Sequence, residues 1–357
     1  MRRNYTIVLD ITPTAPLTHG SGSEGNEQVL LRRPVNVRVD GEWETLFLPA
    51  VSGAALKATL REHAVTDYLE RAGVPDGGVS RDTLRLLLKG GKNDSGGQTV
   101  SLAEQRRLRD LCPLLAVFGS MDGGAAMPAA IRVSDVTVWC AEAVGAGLLP
   151  RVVTPLQVAV DGRTLVDAPP IHVHGGAEPI PLTMATDRVT NYRHDLTMSG
   201  AARYLAAPDT ARIEDARVAV AEAKRTKGAP KPDAKERREA NEAMPHSAQV
   251  IVPGTPMVAI VRLQGATDVE FGALGVALVR WVRSGGHLGG GATKGHGACT
   301  VKVAGAIRHD TPTGSLPVEG GEPLPALTVD MDPAILARAY DAHLVARAEA
   351  IRAWVAA

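Results

Sequence analysis

Near the N-terminus Tyr5, Ile7, Leu9 and Ile11 alternate with Thr6, Val8, Asp10 and Thr12, the two-residue period of a strand with a partly apolar outer face. A Gly/Ser-rich stretch, THGSGSEGNEQ, follows, and extended sequence resumes from Arg32 to Val39 before the tight-turn pair Asp40-Gly41. The period then changes. Leu56, Leu60, Ala64 and Tyr68 are spaced by four, with Ser52 placed to cap a helix and Gly73 to end it. Residues 74–100 contain Gly, Asp and Lys and a short helical pattern around Leu84 to Leu88. Ser101 and Glu104 have capping-box spacing for another helix, which stops before Pro113. Ile131, Val133, Val136 and Val138 predict one strand with a bulge where the alternation slips.

From about 150 to 205 the chain is Pro-rich and irregular, with a hairpin expected from Ile180 to Met198. Residues 206–245 are rich in Ala, Lys, Arg and Glu, and suit either a solvated helix or a partly disordered arm. Gln249 to Leu263 reads as one strand or a bent pair. Thr267 and Glu270 form a second capping box, and Phe271, Leu274, Leu278 and Trp281 share one helical face. Ala298 to Val303 predicts the last core strand, and Asp332-Pro333 starts a helix with Ile335, Tyr340, Leu344, Ile351 and Trp354. Without the insertions the order is strand, helix, strand, strand, helix, strand. That is an α+β, ferredoxin-like (RRM-like) pattern, with large insertions between its two core helices.

Composition narrows the function classes. The 357 residues can bury one large core or two smaller ones. Lys plus Arg equals Asp plus Glu at 39 each, so polyanion binding must come from local clusters. Cys112, Cys140 and Cys299 lie far apart with no CxxC pair, which suits a reducing cytoplasm better than a zinc site or a disulfide framework. MRRNYTIVLDI alternates like a strand and is no signal peptide, and no apolar run approaches membrane-spanning length. The expectation is a cytoplasmic protein with no membrane partner and no cofactor.

Arg283 to Val301, RSGGHLGGGATKGHGACTV, holds seven glycines, one lysine and two histidines. Such a cluster marks backbone that bends sharply or lies against something bulky. Exposed N–H groups beside Lys294 would suit a phosphate oxygen, and a flexible hairpin loop is the plainer alternative. It is no P-loop, because Thr293 precedes Lys294 and Gly295 follows it. It precedes a strand, so it is no dinucleotide fingerprint either. The run from Lys294 through Gly295, His296 and Gly297 to Val301 keeps the basic residue and glycines of an RNA-recognition strand without its aromatics. RNA bound here would be held by its backbone.

Other candidates are single features. Free N–H groups at Ser52-Gly53, with Lys57 and Arg61 one turn apart, suit phosphate, although an ordinary solvated helix face has the same spacing. His172 and His174 have strand spacing for two metal ligands; Asp187 and His194 are the nearest imaginable additions, and no acidic cluster completes a site. His19 could serve as a general base but has no visible partner.

Three segments together carry a resemblance: LTHGSGSEGN, then FLPAVSGAALKATLREH, then the glycine run before a strand. They are similar to the RAMP superfamily of CRISPR proteins, whose phrase I-P-G-S-S-L-K-G-x-L-R is kept here in Pro49, Ser52, Leu56, Lys57 and Arg61. CPLLAVFGSMDGG, Cys112–Gly124, resembles the family's C-x-x-x-x-L-F-G segment, with Val117 where Leu is usual. Within the superfamily the chain most resembles the Cas-seven backbone subunit. Its Ala/Gly/Arg composition and single palm point to the type IV branch.

The resemblance implies a hand. The palm would comprise 1–73, 131–175 and 248–308, with fingers at 74–130, a thumb hairpin and charged arm at 176–247, and a helical extension at 309–357. It implies a non-catalytic scaffold in antiviral defence whose copies join head to tail along CRISPR guide RNA. Other effector subunits and target nucleic acid would be further partners. RNA contacts are expected at His19, Arg32, Arg33, Ser52, Gly53, Lys57, Arg61, Gly289, Gly290, Lys294 and His296. On the thumb they are expected at Met184, Arg188, Asn191, Tyr192, Arg193, His194 and Met198. Target-slicing members carry an aspartate before the Pro-Val that follows the first loop; here Arg32 and Arg33 precede Pro34-Val35, and Glu24 and Glu27 do not hold that position. Two alternatives remain: a guide-processing endoribonuclease using His19 or His296, and a metal-dependent enzyme at His172 and His174.

Overall fold

The computed structural model describes residues 2–24, 27–39, 42–91, 101–122, 125–153, 159–160, 163–164, 170–192, 207–225, 245–309, 326–328 and 333–356. Strand β1 (Arg3–Pro13) is followed by β2 (Gly20–Glu24), β3 (Glu27–Leu30), β4 (Arg32–Val39) and β5 (Glu42–Val51). Helices α1 (Gly53–Arg71), α2 (Arg81–Lys89), α3 (Leu102–Leu111) and α4 (Pro113–Phe118) come next. Short strands β6 (Ser120–Asp122), β7 (Ala125–Met127), β8 (Ile131–Val133) and β9 (Val136–Val138) lead to α5 (Ala141–Gly145). Two-residue strands follow: β10 (Val152–Val153), β11 (Ala159–Val160), β12 (Arg163–Thr164) and β13 (Ile171–His172). The remaining elements are β14 (Thr186–Tyr192), α6 (Ala207–Arg225), β15 (Pro245–Ile251), β16 (Met257–Ala266), α7 (Asp268–Arg283), β17 (Cys299–His309), β18 (Ala326–Thr328) and α8 (Pro333–Ala356).

The main sheet runs β18-β17-β1-β16-β9-β5-β4, with β8 also on β16. Its centre, β17-β1-β16-β9, is the fourth-first-third-second order of the ferredoxin-like fold, and every neighbouring pair is antiparallel. Tyr5, Ile7, Leu9 and Ile11 are buried, as are Leu56, Leu60, Ala64 and Tyr68 of α1 and Phe271, Leu274, Leu278 and Trp281 of α7. Tyr5 stacks on Phe271 with ring centroids 3.8 Å apart, and α8 packs on α7 with Tyr340, Leu344 and Ile351 buried. The Thr267–Glu270 capping box is complete, whereas at Ser101 only the serine half forms.

Several expectations are corrected. The outer face of β1 is covered: Val8 lies in a cluster with Trp139, Ile171, Val173, Val258 and Ile307. The strand expected from Ile131 to Val138 is two strands, because Ser134 Oγ takes the Ile260 N–H at 2.8 Å and turns the chain. The last core strand extends to His309, well past Val303. Gln249 to Leu263 is split between β15 and β16, which belong to different sheets. Of the hairpin expected at Ile180–Met198, the described part is a 3-10 turn and β14, which pairs with β15 from far downstream, and residues 193–198 lie outside the described residues. Asp40-Gly41 lies outside the described residues, but Val39 and Glu42 pair across it.

The chain divides into two units, Met1–His19 with Leu31–Thr186 and Ile251–Ala357, and Gly20–Leu30 with Asp187–Val250. The second unit overlaps the range expected for a thumb and charged arm, 176–247, from 187 onward, and also takes in 20–30. The second unit holds the sheet β14-β15-β3-β2 and α6, which buries Ile213 and Val220, two turns apart. Of the two readings for this region, 207–225 is helix.

Candidate nucleic-acid interface

β5 runs directly into Ser52, whose Oγ accepts the Ala55 N–H at 3.2 Å and caps α1. His19 Nε2 lies 3.2 Å from the same hydroxyl. Asp135 completes the node: its Oδ1 accepts the Gly53 N–H at 2.8 Å and its Oδ2 accepts Arg33 Nε at 2.6 Å. Gly53 has no room for a Cβ, which would press on the Val133 and Ser134 carbonyls. Burial alone would raise the Asp135 pKa, but the Arg33 hydrogen bond, the Gly53 N–H and the charges of Arg33 and His19 together lower it. Burial, followed by the Arg33 charge, lowers that of His19 against the pull of Asp135. The helix N-terminus thus already holds an anion, the chain's own carboxylate. The free phosphate site expected at Ser52-Gly53 is corrected accordingly, and Arg33 is an ion-pair partner, while Arg32 is exposed.

One and two turns further along α1 the chemistry differs. Arg61 Nη2 donates to the Phe118 and Gly119 carbonyls, both at 2.6 Å, and its guanidinium sits 5.5 Å from the Phe118 ring centroid. Arg61 therefore clasps the end of α4, joining the two segments that carry the family resemblance. Lys57 keeps its head for something else. Burial, then the charges of Arg61 and Arg132, lowers its pKa, so an incoming anion would relieve a crowded positive site. Lys57, Arg61 and Lys89 line an open cleft of about 550 Å³ with Phe118, Gly119 and Ser120, and no carboxylate of the described residues lines it.

The glycine run is neither floppy nor open. Gly290 N–H donates to the Thr18 carbonyl and Thr18 Oγ1 donates to the Gly290 carbonyl, both at 2.7 Å. Leu288 N–H reaches Gly297 O at 2.9 Å, and Gly297 N–H reaches Pro16 O at 3.0 Å. Gly289 (φ 71°) and Gly297 (φ 83°) are left-handed, and a Cβ on either would strike the Thr18 or Leu288 carbonyl. The bulky thing this backbone lies against is the segment after β1. The N–H groups of Gly290, Lys294, Gly295, His296 and Gly297 are spent internally, so those five are not offered to a phosphate as expected. Lys294 remains exposed and His296 is buried. The hydrogen bonds Gly290–Thr18 and His19–Ser52 join the glycine run to the start of α1.

The other predicted residues scatter. His172 ends β13, but His174 has φ 49°, gives its N–H to Asp10 Oδ2 and sets Nε2 2.9 Å from the Met257 carbonyl. The pair is not displayed as successive strand ligands, and no group of three or more His, Cys, Asp or Glu that could hold a metal occurs among the described residues. In the palm unit Met184 is exposed on a 3-10 turn. In the second unit Arg188 pairs with Glu27 at 2.9 Å, and Asn191 and Tyr192 belong to β14. Arg193, His194 and Met198 lie outside the described residues. Sequence reasoning missed Asp135, Lys89 and Thr18. Only Asp135 had a signal, the slip in alternation between Val133 and Val136.

No helix among the described residues is long and apolar enough to cross a membrane. No family model matches the chain, and no curated protein matches it. Among solved structures the chain is similar to one from a "Type IV-B CRISPR Complex", at 18% identity over 88% of this chain and 94% of that one, with a TM-score of 0.41.

Proposed function

We propose that the chain is a non-catalytic RNA-binding scaffold, a repeated Cas-seven-like subunit of the type IV branch that wraps CRISPR guide RNA head to tail in an effector complex. The observation that carries this is the cleft of Lys57, Arg61 and Lys89, which no carboxylate of the described residues lines, built where the two family-like segments meet. Its charge is crowded, and Ala54, Ala58, Leu88, Gly90, Phe118, Gly119 and Ser120 complete its described walls. That chemistry suits holding a phosphate. Arg32 and Arg33 at the slicing position agree with holding RNA without cutting it.

K57A/K89A tests the reading, because both side chains can be removed without touching the Arg61 clasp. Binding of single-stranded RNA should weaken for every sequence alike. The slope of log K against log salt should fall by roughly 0.7 for each phosphate that the variant no longer neutralises. Unchanged affinity and slope would place the RNA elsewhere. Specific fragments of complementary RNA in magnesium would overturn the non-catalytic part.

A further inference from the structure

Two aromatic side chains are strongly exposed among the described residues, and both stand on β5: Trp43 at 74% and Phe47 at 54%. Four residues apart on a strand, they project from one face, about 13 Å from each other at a rise of ~3.3 Å per residue. The β4–β5 register sets Arg38 opposite Trp43, Asn36 opposite Thr45, and Pro34 opposite Phe47. Thr45 Oγ1 donates to Asn36 Oδ1 at 2.8 Å, so this row is continuous. Arg32 is exposed on the same face. Glu42 and Glu44 alternate onto the other side, where Val37 and Leu48 are buried. Among the described residues, one face of the ribbon thus has two rings, two arginines and no carboxylate.

We propose that this face binds unpaired bases of a single nucleic-acid strand, with one base stacked on Trp43 and another on Phe47. The proposal rests on the nucleic-acid reading above and adds a contact that reads base faces, which the Lys57 cleft does not. Rings separated by a polar Asn36–Thr45 pair and flanked by arginine match the alternation of flat bases and charged phosphates. A protein partner would be matched by a contiguous apolar patch, and these rings are not contiguous. β5 ends at Val51, next to Ser52, the cap of the helix that carries Lys57.

A labelled oligouridylate, followed by anisotropy across a potassium chloride series, tests this with the full chain. W43A/F47A should weaken binding about 10- to 100-fold while leaving the salt slope unchanged, since stacking releases no counterions. W43F should bind within about threefold of wild type, because a ring remains to stack. The oligonucleotide should quench tryptophan emission in wild type and in K57A/K89A at saturation, and much less in W43F. An RNA duplex, whose bases are already stacked, should not distinguish W43A/F47A from wild type. Unchanged oligouridylate affinity in W43A/F47A, with its circular dichroism intact, overturns the proposal. If that variant instead elutes as a smaller assembly, the face is a protein contact and the proposal also fails. If K57A/K89A binds normally while W43A/F47A weakens, the cleft reading falls and the ribbon stands. If wild type binds no RNA, both fall.

Discussion

Asp135 spends its two carboxylate oxygens on different elements, the Gly53 N–H at the start of α1 and the Arg33 guanidinium on β4. Removing it leaves a helix-end donor without a partner, a loss of about 1–3 kcal/mol. The Arg33 pair is discounted, since Arg33 is 47% exposed and such pairs contribute little in water. We expect D135A to destabilise by that amount in urea unfolding and D135N, which keeps an acceptor, by less. The node is also acid-sensitive. The lowered Asp135 pKa gives stability that is present above the unfolded carboxylate value of ~3.9 and lost as pH falls through the folded one. The lowered His19 pKa favours neutral imidazole when folded, so its contribution is full above ~6.5 and declines as pH drops through the window beneath. Replacing His19 with Gln should flatten the stability profile just below pH ~6.5 and leave the steeper acid limb. A profile identical to wild type would remove His19 from the node.

At the scale of elements, the glycine run behaves as a strap folded onto Pro16, Leu17 and Thr18. G289A and G297A each force a side chain into a left-handed position and against a carbonyl, costing more than the ~1 kcal/mol of a strained φ alone. We expect lowered melting temperatures and faster hydrogen exchange at the Gly290 amide, with G295A, where a Cβ meets nothing within 4 Å, milder. Equal effects at all three would point to backbone conformation alone. What is legible in the sequence follows the same division. Leu56 to Tyr68 and the Thr267–Glu270 box are written in local spacing, so the two helices and the βαββαβ order can be read directly. The strap's partner Thr18 lies 272 residues from Gly290, and Asp135 lies 82 from Gly53, distances at which no periodicity speaks. Arg61 has the right spacing for solvent or phosphate, but its two carbonyl acceptors belong to a segment whose approach only the fold determines. The glycine density does signal close approach, while the N–H groups of Gly290, Gly295 and Gly297 go to the chain itself.

For the molecule as a whole, the chain leaves the palm unit and returns to it at hydrogen-bonded pairs. Leu31 N–H donates to the His19 carbonyl at 2.7 Å, closing the excursion 20–30, and Val252 N–H donates to the Ala185 carbonyl at 3.0 Å, closing the excursion 187–250. Each end pair already sits at turn distance, so a short Gly-Ser loop can replace either excursion with little closure entropy to overcome. The central sheet, α1, α7 and their buried faces are built entirely from what remains. We therefore expect a protein lacking both excursions to fold cooperatively, with far-ultraviolet dichroism of the remaining elements and the buried Trp139 and Trp281 environments retained. If the second unit is the thumb that spans neighbouring copies, the excised protein should still bind short RNA through Lys57 and Lys89 but should no longer build long filaments, since a head-to-tail array needs both halves of its interface. Electron microscopy with long RNA separates the outcomes. Short, RNA-bound particles support the assignment, and regular filaments from the excised protein would locate the copy-to-copy interface on the palm unit instead.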